Sequence, residues 1–197
     1  MITVIGDVHG KFSKYLSLIS NLEASVQVGD FGLTYDCLDN VYPTRHVLFA
    51  GNHDAPDLIY KCPNYLGSFG CRTVNYVRFF FVSGANSIDK QYRIPGLSWW
   101  PDEELSQQQM YEAFYKYWEE KPEIVLSHDC PTSVCIAMHG DNKYPSRTDK
   151  LLEQMFSVHK PKLWIFGHHH RSWTQEIHGT KFVCLNELET FSVKNFQ

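Results

Sequence analysis

The stretch "KLWIFGHHHRSW", Lys162 to Trp173, places three histidines directly behind an apolar run. Four more segments have the same form, an apolar run that stops at a polar cluster: "ITVIGDVHG", "ASVQVGDFG", "HVLFAGNHD" and "EIVLSHD". The clusters contribute Asp7, His9, Asp30, Asn52, His53, His128, His168 and His170. Carboxylate, imidazole and amide groups form an oxygen and nitrogen donor set without thiolate, which favours Mn, Fe or Zn over iron–sulfur clusters or calcium cages. So many donors exceed what one ion can use while it also holds substrate. Two ions about 3.5 to 4 Å apart can share a bridging carboxylate. Water between such ions is acidified into a nucleophile, and the ions offset charge growing on phosphoryl oxygens, so the chemistry served is phosphoester hydrolysis.

These residues need elements that gather them. Each apolar run reads as a strand buried on both faces. Segments of helical period lie between the runs: "FSKYLSLISNLE", "DEELSQQQMYEAFYKYWEE" and "TDKLLEQMFSVH", the second with an acid-rich start that suits a helix N-terminus. The alternation predicts an α/β fold, and a parallel sheet collects functional groups beyond the carboxyl ends of its strands. "CRTVNYVRFFFVSGA" and the C-terminal segment from Trp173 carry β-branched and aromatic residues that predict a second, more antiparallel sheet. "IHGTKF" reads as a hairpin turn around Gly179 and Thr180. In an extended segment side chains alternate, so His168 and His170 are expected on one side and His169 on the other.

At 197 residues the expectation is one domain covering 1–197. A formal net charge of −4 gives no electrostatic sign of a nucleic-acid surface. Met1 leads straight into the first block without a basic region or cleavage site, and no apolar run approaches membrane length, so a cytoplasmic protein without a membrane partner is expected. Cys37, Cys62, Cys71, Cys130, Cys135 and Cys184 form no CxxC pair and read as reduced thiols. His46, His139, His159 and His178 lie outside the clusters and read as surface or structural residues; His139 follows the His128 block closely enough to be watched.

In order, "GDVHG", "GDFG", "GNHD", "SHD" and "GHHH" resemble the five sequence blocks of the calcineurin-like metallophosphoesterases, spanning Gly6 to His170. The resemblance implies a two-layer β-sandwich flanked by helices and a dinuclear metal centre. It places Asp7, His9 and His170 on one ion, Asn52, His128 and His168 on the other, and Asp30 between them, with Mn2+ the expected metal and Fe, Zn or Ni as substitutes. His53 is then left free of metal, and Asp54 beside it is expected to accept a hydrogen bond from its ring and keep the imidazole oriented and cationic. Such a histidine binds the phosphoryl group and protonates the leaving alkoxide.

Protein Ser/Thr phosphatases of the family extend the second block to GDxVDRG, whose arginine grips phosphate; here the segment reads "GDFGLTYD". That departure turns the expectation from protein dephosphorylation toward other phosphomonoesters or phosphodiesters. A Ser/Thr or Tyr protein phosphatase, a nuclease and a non-catalytic scaffold on the same fold are the alternatives. Arg93 in "DKQYRIPG" and Arg147 in "YPSRTD" are the substitute phosphate-binding candidates. The segment from Ser83 to Ser106 resembles, more loosely, small bacterial and phage-encoded members, and its Trp99 and Trp100 read as packing residues rather than a stacking platform. The aromatic stripe in "MYEAFYKYW" reads as a core face at helical spacing.

Overall fold

The structure is a computed structural model that describes residues 1–194. The five apolar runs are all buried strands: β1 (Ile2–Ile5), β2 (Ser25–Gln27), β3 (His46–Leu48), β6 (Ile124–Ser127) and β7 (Leu163–Phe166). They do not share one parallel sheet. β1, β2 and β3 run parallel in a four-stranded sheet of order β10-β1-β2-β3, whose edge strand β10 (Thr190–Val193) is antiparallel to β1.

β6 and β7 run parallel at the centre of a six-stranded sheet, β4-β5-β6-β7-β9-β8. The expected antiparallel segments are the hairpins at its two ends. β4 (Phe69–Val74) pairs with β5 (Val77–Val82), and β8 (Trp173–Ile177) with β9 (Thr180–Cys184). The second hairpin turns at His178 and Gly179, one residue earlier than read from the sequence, because both adopt the positive φ that a two-residue turn requires (50° and 80°).

Alternation along the strands builds the layers. In β5, β6 and β7 the side chains of Val77, Phe79, Phe81, Ile124, Leu126, Leu163 and Ile165 meet Ile2, Val4, Val26 and Val47 of the facing sheet in one core. Their neighbours Phe80, Val82, Val125, Trp164 and Phe166 point the other way, against helices α3 (Gln107–Glu120), α4 (Thr132–His139) and α5 (Arg147–Val158). On the outer face of the first sheet, Ile5 and Leu48 pack with Tyr15 and Ile19 of α1 (Phe12–Ile19) and with Ile59 of α2 (Pro56–Ile59). The result is helix, sheet, sheet, helix, with both sheets' functional loops at one end of the sandwich.

One expected helix start was misplaced. The acid-rich run before α3 is not its first turn; the helix begins at Gln107 behind a capping box in which Ser106 and Gln109 satisfy each other's backbone. Glu104 instead caps α5, where its Oε1 accepts the backbone N–H of Arg147 and Thr148, each at 2.9 Å. On α3 itself Ala113 and Tyr117 are core, as the stripe suggested, while Tyr111, Tyr115 and Trp118 are exposed on the other face. No helix among the described residues is long and apolar enough to cross a membrane.

Candidate metal centre

Each strand delivers its donors within four or five residues of its carboxyl end, on backbone that leaves the sheet sharply. Asp7, two residues beyond β1, is fully buried, and its carboxylate accepts the His168 backbone N–H, 3.2 Å from each oxygen. Gly167 makes that approach possible: a Cβ there would stand 2.2 Å from Asp7 Oδ1. Asp30 sits in the left-handed region at φ 56°, between Gly29 at 101° and the turn to Gly32. His168 and His170 are also left-handed, at φ 63° and 48°. Their separation therefore comes from a turn rather than from the alternation of an extended strand.

The carboxylate that fixes this loop is Asp54. Its Oδ1 accepts hydrogen bonds from Phe31 N, Gly32 N and Tyr35 Oη, and its Oδ2 from Asp30 N and Gly51 N, at 2.8 to 3.0 Å. Burial, and then the charge on Asp30, push its carboxyl up to about 6 against the pull of those donors. The hydrogen bond expected between Asp54 and the His53 ring is not made, because both oxygens are turned into the GDFG loop.

Two groups of donors result, and they share one residue. Asp7, His9, Asp30 and His170 offer ligand atoms within 4.8 Å of one another, and so do Asp30, His128 and His168. In the first group His170 Nε2 lies 3.3 Å and His9 Nε2 3.7 Å from Asp7 Oδ2. In the second, His128 Nε2 lies 3.3 Å from Asp30 Oδ1 and 3.0 Å from Asn52 Oδ1, which joins Asn52 to the set. Asp30 Oδ2 is buried without a hydrogen-bond partner among the described residues, 3.8 Å from His9 Nε2. A buried, unpartnered carboxylate oxygen between two donor groups fits a pair of cations.

The amide of Asn52 is oriented from behind. Its Nδ2 donates to Ser87 Oγ at 2.9 Å, and Ser87 donates its own Oγ–H and N–H to the two oxygens of the buried Glu103 carboxylate, at 2.6 and 2.8 Å. Oδ1 of Asn52 is thereby left facing His128. His128 is oriented in the same way, its Nδ1–H donated to the Val28 carbonyl at 2.8 Å.

The imidazoles carry opposite electrostatics. Burial, the largest influence, would lower His128, but the charge and hydrogen bond of Asp30, the charge of Asp7 and the Val28 carbonyl together raise its pKa to about 10. Burial is unopposed enough at His168 to take it down to about 4. Both must be neutral to ligate, so loading the metal-free protein at pH 7 should release the His128 proton and none from His168. The His128 contribution should fade as pH rises through about 10; calorimetry in buffers of different ionisation enthalpy measures the count.

A cavity of about 600 Å³ is lined by Asn52, by His168, His169 and His170, by residues 86–89 with Arg93, and by residues 141–144 with Asp149. His53 faces it, 5.9 Å from the His9 ring. His53 Nε2 lies 3.1 Å from Asn52 Nδ2 and 3.3 Å from Arg93 Nη2, both donors, so it accepts and the ring is neutral. Burial lowers its pKa further, against the expectation of a cation. Arg93 is held by a two-pronged pair to Asp89 at 2.6 and 2.7 Å and stands in the cavity wall. Arg147 does not reach it: at the start of α5 its side chain turns to Glu104, Nε to Oε2 3.3 Å, and lines a different hollow. Trp99 and Trp100 are half-buried and line neither.

Residues 1–172 match the profile of the calcineurin-like phosphoesterases. The chain belongs to that family. Among curated proteins, a lariat debranching enzyme of Entamoeba histolytica is 24% identical over 248 aligned positions, covering 95% of this chain and 68% of that protein. Among solved structures, the phosphopantetheinyl hydrolase of Mycobacterium tuberculosis superposes with a TM-score of 0.52 at 14% identity, covering 94% of this chain and 89% of the other. A putative 5'-nucleotidase of Staphylococcus aureus gives 0.53 at 14%, covering 94% and 48%. At such identities the structures share the fold.

Three residues of this phosphoesterase's site carry no motif. Glu103 lies in a run that reads as a helix start, Ser87 in a polar loop, and Tyr35 in the segment that departs from GDxVDRG, where its hydroxyl is spent on Asp54. Only their burial reveals them.

Proposed function

We propose that this phosphoesterase is a dinuclear, metal-dependent hydrolase of phosphodiesters or phosphomonoesters, an inference carried by the two donor groups that meet at Asp30. Asp7, His9 and His170 would hold one divalent ion, Asn52, His128 and His168 the other, and Asp30 both. The oxygen and nitrogen donors suit Mn2+, with Fe, Zn and Ni sharing the same chemistry. Bound there, the ions supply an acidified water as nucleophile and offset phosphoryl charge.

The chain's own groups do the rest. Arg93, fixed by Asp89, presents its guanidinium at the cavity wall to a phosphoryl oxygen. His53 lies between Arg93 and the donors, and the negative charge of an arriving phosphoryl group raises its affinity for the proton that it passes to the leaving oxygen.

Cleavage of bis-aryl and aryl phosphates by metal-free protein reloaded with Mn(II) tests the reading; no turnover of either with any of Mn, Fe, Zn or Ni would overturn it. His53→Gln should keep its metals and lose about 10²-fold in kcat, as expected for a positioned proton donor. Empty ion positions in that variant would contradict the role.

A nucleic-acid phosphodiester is the second reading, favoured by the similarity to the lariat debranching enzyme. Against it stands the cavity wall, where Arg93 and Lys143 face Asp89, Asp129, Asp141 and Asp149. Branched and linear RNA oligonucleotides, offered as competitors of the aryl diester, separate the two: salt-sensitive inhibition supports RNA.

A further inference from the structure

The cavity wall holds a second cluster that the dinuclear reading leaves unused. Asp129 and Cys130 follow directly on His128, and His169 lies between His168 and His170. Asp129 Oδ1, Cys130 Sγ and His169 Nε2 all lie within 4.8 Å of one another. The imidazole nitrogen is 3.1 Å from the carboxylate oxygen and 3.4 Å from the sulfur. Around a tetrahedral zinc ion, bonds of about 2.0 Å to N and O and about 2.3 Å to S set those edges at about 3.3 and about 3.5 Å. The observed edges are within about 0.2 Å of both.

We propose that Asp129, Cys130 and His169 form a third metal site, of zinc type, beside the dinuclear centre and separate from it in chemistry. Carboxylate and thiolate together cancel the charge of a divalent ion, which suits a place where Asp129 is 6% and Cys130 0% exposed. Binding converts the Cys130 thiol to thiolate, and its proton leaves to solvent.

The surroundings orient the donors. Cys130 N donates to Asp129 Oδ1 at 2.7 Å, and His169 Nδ1 lies 3.2 Å from His139 Nε2. Arg171 Nη1 donates to His139 Nδ1 at 3.3 Å, so His139 Nε2 donates to His169 Nδ1, and in the metal-free chain the His169 proton sits on Nε2, bonded to Asp129; an ion takes the place of that proton, which leaves to solvent. Asp129 and His169 both line the cavity, so the ion's fourth position is reached from there and takes water or an anionic oxygen of a substrate. Thiolate also separates the two kinds of site. Zn(II) and Co(II) accept sulfur readily, whereas Mn(II) prefers the oxygen and nitrogen donors around Asp30.

The full chain, stripped of metal and titrated with Co(II), tests this. The donors around Asp30 contain no sulfur, so a thiolate-to-cobalt charge-transfer band reports the third site alone. The expected result is that band in the unmodified protein, together with one more equivalent of Zn(II) than Cys130→Ser binds. Asp30→Asn should keep the band, so failure of the dinuclear reading and failure of this one are distinguishable. His169→Ala should lose it, and Cys135→Ser, one helical turn into α4, should retain it. A triad held only by hydrogen bonds would show no band and equal zinc stoichiometry in unmodified protein and Cys130→Ser, and either result overturns the proposal. Because the band is read on unmodified protein, a variant that fails to fold does not protect the idea.

Discussion

Asp30→Asn is expected to empty both ion positions and to lower turnover by at least about 10³-fold, the loss that follows from removing several kcal/mol of metal-derived transition-state stabilisation. The substitution isolates charge from shape. Asparagine tolerates the left-handed backbone that Asp30 adopts at φ 56°, and its amide oxygen can still accept the His53 N–H that now bonds Oδ1 at 2.8 Å. What changes is Oδ2, the unpartnered oxygen where the donor groups meet. An amide NH2 in its place offers hydrogens to a cation. A second readout follows from His128, whose pKa is raised chiefly against burial by Asp30. Without that charge the affinity of the ring for its proton falls, which a pH titration of the His128 ring resonances in metal-free Asp30→Asn reads. Retention of two metal equivalents by inductively coupled plasma analysis would refute the assignment of Asp30 as the shared ligand.

The residues that form the two donor groups were legible as a set: any single Asp or Asn behind an apolar run reads as a turn residue or helix cap, and only five such endings together point to one site. Two sheets were expected, but which of the five runs pair in which sheet was not legible, since the register of β1 to β3 and of β6 to β7 rests on contacts between distant segments. Side-chain direction was harder still. Asp54 follows His53 in sequence, and nothing in the order "NHDA" says which way its carboxylate turns. Arg93 and Arg147 sit in similar loop-like stretches, yet one meets His53 and the other Glu104. In "GHHH" His169 parts from His168 and His170, but not by the alternation of an extended strand. Two left-handed residues make the turn, and His169 is delivered to Asp129 and Cys130.

Asp54→Asn should destabilise the metal-free protein by about 4 kcal/mol, the loss that follows when two buried N–H groups are left without an acceptor. The carboxylate is an acceptor for all five of its donors, four of them backbone N–H groups. An amide of the same shape can serve the three at Oδ1 or the two at Oδ2, but the NH2 then faces donors on the other side. Leaving each buried N–H unsatisfied costs about 1–3 kcal/mol. The unserved groups include Asp30 N and Gly51 N or else Phe31 N and Gly32 N, so the loop that carries Asp30 shifts in either orientation. Gly51 has no slack to absorb the movement, because its Cα hydrogen points where a Cβ would stand 2.2 Å from Asp30 Oδ1. Metal affinity should therefore fall together with stability, though Asp54 touches no candidate ligand side chain. Tyr35→Phe removes one donor and leaves the acceptor intact, and should cost only about 1 kcal/mol. Urea denaturation of the two variants compares them directly: an Asp54→Asn midpoint no lower than that of Tyr35→Phe would mean that the loop is held by its glycines and packing instead.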